Sequence, residues 1–320
     1  MVSKDLFKKV LVISSASILA VSMPTMTVLA NEGVEETVKV DGSSSQLEVT
    51  VESITVDEGQ SAIVVSAPNA EVTVTGDVTS SGTSGQYSDP INNEIKYNTS
   101  KDAVIASAGG VTINGNLNAN GDEQKGVNAY GSGTDVTVKG QISANGSGIN
   151  ASSGATVTAG SVNSAGDAIV TYGEASVTVN GNAYSSGMKE YNSTWDEEKG
   201  AWVVVGETYR GTGLSTDGSS DVIIDGNLQG YTEGINVHRG LDTPDTKGSI
   251  VVTGKVSVAS ENGTRIYIGN SYNNENKTVT YETTQDVLNS IPDIYLYELD
   301  KPYIYVGREP EDGSSATAQI

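Results

Sequence analysis

Residues 167–181 read DAIVTYGEASVTVNG, and residues 61–76 read SAIVVSAPNAEVTVTG. The two stretches agree almost letter for letter, with one residue of slack between their halves. Each half alternates apolar and polar residues, the period-two pattern of a strand with one buried face. The second half ends in a glycine each time, Gly181 or Gly76. Such a glycine belongs either to a binding loop or to a corner.

Seven segments share the form apolar, any, apolar, any, Gly, any, apolar. They are VTVTGDV from Val72, VTINGNL from Val111, VTVKGQI from Val136, TVTAGSV from Thr156, VTVNGNA from Val177, VIIDGNL from Val222 and IVVTGKV from Ile250. In the fourth copy this alignment puts Thr156 and Thr158 at the inward places. Shorter echoes run between the copies, starting at Ala62, Ala103, Gly126, Gly148, Ala168, Gly213 and Gly234. Their second place is aliphatic: Ile63, Val104, Val127, Ile149, Ile169, Leu214 and Ile235. Their fourth place is small or β-branched: Val65, Ala106, Ala129, Ala151, Thr171, Thr216 and Val237. The third and fifth places include Asn, Ser, Tyr, Asp and His and are expected to face out.

The spacing settles the glycine. Gly115 to Gly140 is 25 residues, Gly140 to Gly160 is 20 and Gly160 to Gly181 is 21. Repeats of this length indicate a stacked architecture. Each unit reads as strand, glycine corner, strand, turn, strand, turn. The expected fold is all-β: a single-stranded parallel β-helix, or β-solenoid, of about eight coils of ~20–25 residues over 47–268. A sandwich of hairpins would not require every third strand to match. One coil cannot bury its aliphatic columns alone, but stacked coils bury them continuously. The glycines are corners. No helix follows them, so they are not phosphate cradles.

Two gaps break the period: Gly76 to Gly115 is 39 residues and Gly181 to Gly226 is 45. The extra pieces, 82–101 and 186–210, both enter after the second strand of their coil. They are expected to leave from one edge, four coil steps or about 19 Å apart. The second reads as a hairpin, MKEYNSTW and AWVVVGETYR around a DEEKG turn. Tyr87 and Tyr97 in the first piece, with Tyr191, Trp195, Trp202 and Tyr209 in the second, form a candidate ligand-binding face. The alternative is that these aromatics pack on their own coils. A third break covers 239–248, at a different corner. Residues 31–46 are a lead-in. Residues 269–307 carry the Tyr-rich TRIYIG (its first five residues overlap the last coil), DIYLYEL and PYIYVG and are expected to cap the stack, with a loose tail at 308–320.

The first 30 residues read as a cleaved signal peptide. Lys4, Lys8 and Lys9 precede the apolar run VLVISSASILAVS, and VLA closes at Ala30. The run is shorter than a bilayer span requires, so no membrane span is expected after its removal. The net charge of -22 over 320 residues becomes more negative when those lysines leave. That excludes nucleic acid, which needs basic patches, and simple attraction to anionic lipid or pectin. There is no cysteine, so disulfides and thiolate chemistry are excluded. Phe7, in the signal, is the sole phenylalanine, so the mature core is built of Val, Ile, Leu and Ala.

The coils resemble the right-handed parallel β-helix repeats of secreted bacterial surface proteins, a superfamily that includes pectate lyases, polygalacturonases and non-catalytic polysaccharide-binding proteins. The resemblance specifies fold more than activity. It implies an exported, extracellular or cell-surface protein with a polysaccharide or surface-protein partner. Polygalacturonase-like signatures are partial: STDG at 215–218, HRG at 238–240 and TRIY at 264–267 occur in order, but the paired-Asp motif is absent. A pectate-lyase-like site would need Ca²⁺ on clustered carboxylates. Asp217, Asp221 and Asp225, with Asp242 and Asp245 one coil later, are the candidates, since Ca²⁺ takes 6–8 oxygen ligands. Asp also fills turns by bonding local backbone. His238 is the lone histidine. With Ser215 and Asp217 it would need a buried acid and an oxyanion hole to act as a triad. Otherwise it is a surface histidine. Asn128, Asn150 and Asn236 form an interrupted column suited to stabilisation. No catalytic residue is assigned. The expected function is a non-enzymatic binding or adhesion scaffold, with a carbohydrate-active enzyme or a structural stalk as alternatives.

Overall fold

The computed structural model describes residues 11–14, 26–30, 33–41, 47–83, 86–89, 94–97, 101–238, 248–261, 263–269, 293–298, 304–306 and 317–318. Every regular element among them is a β-strand, and no helix there is long and apolar enough to cross a membrane. The strands form one sheet of 12, one of 15, and two separate two-stranded ribbons. The large sheets are parallel almost throughout, as in a parallel β-helix.

The sheets are built from the repeat. Val72 pairs with Val111, Val111 with Val136, Val136 with Val157, Val157 with Val177, Val177 with Val222 and Val222 with Ile250. Each copy thus lies beside the next in the 15-stranded sheet. The shorter echoes stack in the 12-stranded sheet, here the first sheet, where Ile63, Val104, Val127, Ile149, Ile169, Leu214 and Ile235 succeed one another. All seven are fully buried. Burying such a side chain contributes ~1.5–3 kcal/mol relative to exposure, and the column runs without a break.

The fourth copy departs from the sequence alignment. Val157 and Ala159 point inward, and Thr156 and Thr158 are only partly buried. The reason is one residue fewer at the corner. Val138 pairs with Ala159 and Gln141 with Ser161, so Lys139 and Gly140 stand opposite Gly160 alone. The chain shortens the corner and keeps the core.

Stacking explains the corner glycines by space rather than by dihedral angle. A Cβ on Gly140 would stand 2.5 Å from the Gly115 carbonyl oxygen, and one on Gly181 2.8 Å from that of Gly160. Gly173 is different: its φ of +60° lies in the left-handed region, where glycine is preferred. After the corner, side chains cap the next repeat. Asp77 Oδ1 accepts from Asn116 N (2.7 Å) and Asn116 Oδ1 from Gln141 N (2.9 Å). Asn182 and Asn227 do the same for Asn227 N and Lys255 N.

On the outside of the 15-stranded sheet, Thr50, Thr73, Thr112, Thr137, Thr158 and Thr178 lie in one register column. On the first sheet the outward expectation fails at three places: Val170, Ser215 and Asp217 are 7, 9 and 8 % exposed. Asp217 directly follows Thr212–Thr216, the strand between those of Tyr172 and His238, and it bonds Gly173 N and Ser219.

Leu11–Ser14 and Met26–Ala30, within the stretch read as a signal, pair with Val38–Asp41 and Leu47–Val51. These strands extend both sheets in the full chain. At the other end Asp293–Glu298 and Ile304–Val306 add parallel strands. Residues 239–247 of the third break, with Asp242 and Asp245, lie outside the described residues, as does most of the tail.

Candidate functional site

Both inserts are antiparallel hairpins. Gln86–Asp89 pairs with Glu94–Tyr97, setting Tyr87 opposite Lys96 and Tyr97 opposite Gln86. Met188–Asp196 pairs with Ala201–Arg210, setting Trp195 opposite Trp202, Tyr191 opposite Glu207 and Tyr209 opposite Lys189. For Tyr87, Tyr97, Tyr191 and Trp202 the structure describes backbone alone. The second hairpin turns where the sequence indicates: Asp196 Oδ1 accepts from Glu198 N (3.0 Å) and Lys199 N (3.1 Å). A bulge leaves Val205 as the extra residue; Val205 is 61 % exposed and Trp195 is half-exposed. Lys189–Glu207, Arg210–Glu190 and Lys199–Asp196 are ion pairs, exposed to solvent and so adding little to stability.

The hairpins leave from one corner. The strand before the first ends at Ser80 and the strand before the second at Ser185. Ser80, Ala119, Ala144, Ser164 and Ser185 form one register column. Four strand steps separate the exits, about 19 Å.

Each base is pinned by polar groups that sequence reasoning missed. Under the first, fully buried Gln124 donates from Nε2 to Ser80 Oγ (2.6 Å) and to Lys101 O (2.7 Å), and its Oε1 accepts from Gly121 N (2.9 Å). It ties the chain before the insert to the chain after it. An isolated Gln in a loop gives no sequence signal for this. Under the second, Asp167 Oδ1 accepts from Thr212 N (2.7 Å), and Thr212 Oγ1 reaches Glu233 (3.3 Å). Tyr209 packs on Tyr231 with ring centroids 5.8 Å apart, so one of the six candidate aromatics braces the next repeat.

The candidate metal ligands are engaged locally. Asp217 accepts from Gly173 N (3.0 Å), Ser219 N (2.9 Å) and Ser219 Oγ (2.7 Å). Asp221 accepts from Ser249 N and Oγ, and Asp225 from Thr253 Oγ1. Among the described residues no three carboxylate or imidazole groups converge on a metal position. The three aspartates act as turn and strand fasteners, and Asp242 and Asp245 lie outside the described residues.

Ser215, Asp217 and His238 are neighbours, but not as a triad. The His238 ring meets Tyr172 edge-on at 5.6 Å, and Asp217 is filled by the donors above. Burial holds the His238 imidazole below its ordinary value, against the charges of Asp217 and Asp167. Burial likewise pushes the Tyr172 phenol up, with Asp167 and Asp217 adding and a hydrogen bond with Ser215 opposing. Burial also raises the Asp167 carboxyl, despite the bonds from Thr212, and Glu190 of the second hairpin acts in the same direction. Comparison with family models, with curated proteins and with solved structures gives no match to this chain.

Proposed function

We propose that this chain is an exported bacterial surface protein, a non-enzymatic right-handed β-helix that presents two hairpins from one corner to a glycan or surface-protein partner. The helix has about eight coils over 47–268, with 269–307 as its cap. The observation that carries the reading is the shared exit column of Ser80 and Ser185. A rigid scaffold that holds loops at fixed separation is a common way to build a binding surface. The pinned bases support it, because Gln124 and the Asp167–Thr212 bond set the hairpins rather than letting them swing. The exposed Trp195 and Val205 supply contact surface. Cleavage after Ala30 would remove two edge strands and leave Val38–Asp41 and Leu47–Val51 as the first rungs. A carbohydrate-active enzyme has less support, since Asp217, Asp221 and Asp225 are individually bonded.

The test is glycan-array and surface-protein binding by the mature protein, repeated with Trp195→Ala and Trp202→Ala. Loss of binding in either variant supports the hairpin surface. Unchanged binding in both removes it. Absence of any binding favours a structural stalk.

A further inference from the structure

The outside of the first parallel sheet carries an alternation that lies apart from both hairpins. In one register column, successive strands present Tyr130, Ser152 and Tyr172. The next two strands continue the column with Asp217 and His238, following the pairs Thr171–Thr216 and Thr216–Val237. Tyr130 and Tyr172 therefore lie two strands apart, about 10 Å at the strand spacing, with Ser152 between them. Tyr130 and Tyr172 are 44 and 42 % exposed. The His238 ring meets Tyr172 edge-on at 5.6 Å. The adjacent outward column holds Asn128, whose Nδ2 donates to Asp102 Oδ2 (2.6 Å), and Asn150, whose side-chain oxygen is buried, paired in register.

These features match the chemistry of one ligand class. The C–H face of a pyranose packs on an aromatic ring, and its hydroxyls take neighbouring amides and carboxylates. In an extended β-linked polymer alternate rings present the same face, so a two-strand repeat suits alternate sugars. Two tyrosine rings separated by Ser152 are not the contiguous apolar patch that marks a protein or membrane contact. The surrounding charge selects further. Asp167 and Asp217 lie near Tyr172 and His238, and the chain carries a net charge of -22, so a polyanion is repelled.

We propose that the Tyr130–Tyr172 column is a track for an extended, uncharged β-linked polysaccharide running along the stack, with alternate sugar rings on the two tyrosines. This deepens the reading of the chain as a surface binding protein, and it does not use the hairpins.

The experiment is calorimetric titration of the mature protein with cellohexaose, chitohexaose and hexagalacturonate. One of the two neutral hexaoses is expected to bind. Tyr130→Ala and Tyr172→Ala each weaken it by about tenfold or more, and Tyr172→Phe retains it. Hexagalacturonate binds at least about tenfold more weakly. Melting curves of the variants establish that they are folded. The track is overturned if neither neutral hexaose binds in the millimolar range, if folded tyrosine variants keep wild-type affinity, or if hexagalacturonate binds best. Loss on Trp195→Ala with the tyrosine variants unaffected overturns the track and leaves the hairpin surface standing.

Discussion

A methyl group at Gly140 would press on backbone, 2.5 Å from the Gly115 carbonyl oxygen, and nothing there can yield cheaply. Gly140→Ala is expected to lose ~1–3 kcal/mol, the usual cost of overpacking. Gly206, in the second hairpin, has only Asn192 Nδ2 at 4.0 Å, and Gly206→Ala should stay within ~0.5 kcal/mol of wild type. Urea denaturation of the two variants checks the contrast, and equal losses would contradict the stacked corner. Two titrations also belong to this scale. Glu71 is raised by burial and by the charges of Asp135 and Glu48. A raised carboxyl favours the protonated folded state, so its stability contribution falls as pH rises through the carboxylate range. Glu71→Gln is therefore expected to stabilise at pH 7, and the gain should vanish at low pH. His238 has the opposite sign. Its lowered value favours the neutral imidazole, so stability is present above about 6.5 and is lost as pH falls below it. His238→Gln should flatten that acid limb of the melting temperature. The columns of Ile149 and Ala151 were legible in the sequence because inward places repeat. The burial of Asp217 was not, because its partner Gly173 N lies 44 residues away in the preceding repeat.

At the scale of elements, the hairpin of 186–210 was readable from its composition, with apolar runs flanking an Asp-Glu-Glu-Lys-Gly turn. What holds it was not. The Thr212–Asp167 bond spans 45 residues, and the Tyr209–Tyr231 contact joins an insert to the following repeat. Such partners are fixed by register, which a local pattern does not carry. The same holds for the fourth copy, where a one-residue deletion at Gly160 shifts the alignment of Val157 and Ala159. Gln124 gives the sharpest test of an element. Gln124→Ala leaves Lys101 O and Ser80 Oγ without their buried donor, a loss of ~1–3 kcal/mol. Limited proteolysis should then cut within 82–101 before the scaffold unfolds. Cleavage no faster than in wild type would contradict the role assigned to that side chain.

For the whole molecule, a continuous apolar interior makes the stack intolerant of charge anywhere along it. Ile149 is fully buried between Val127 and Ile169. Ile149→Asp is expected to cost several kcal/mol and to lower the melting temperature of the full chain. A wild-type melting curve would contradict a shared core. The repeat length, the corners and the two interruptions were legible because each coil must satisfy the same stacking constraint. The use of the outer faces was not legible, because outward residues answer to no common constraint. The most direct measurement exploits the absence of cysteine. Single cysteines placed in pairs, Thr50 with each of Thr112, Thr137, Thr158 and Thr178, carry spin labels for dipolar distance measurement. Stacking predicts mean distances that lengthen by about 4.8 Å per strand step, with no extra length for the 39-residue interval that contains the first hairpin. Distances that plateau, alternate or jump across that interval would contradict the account.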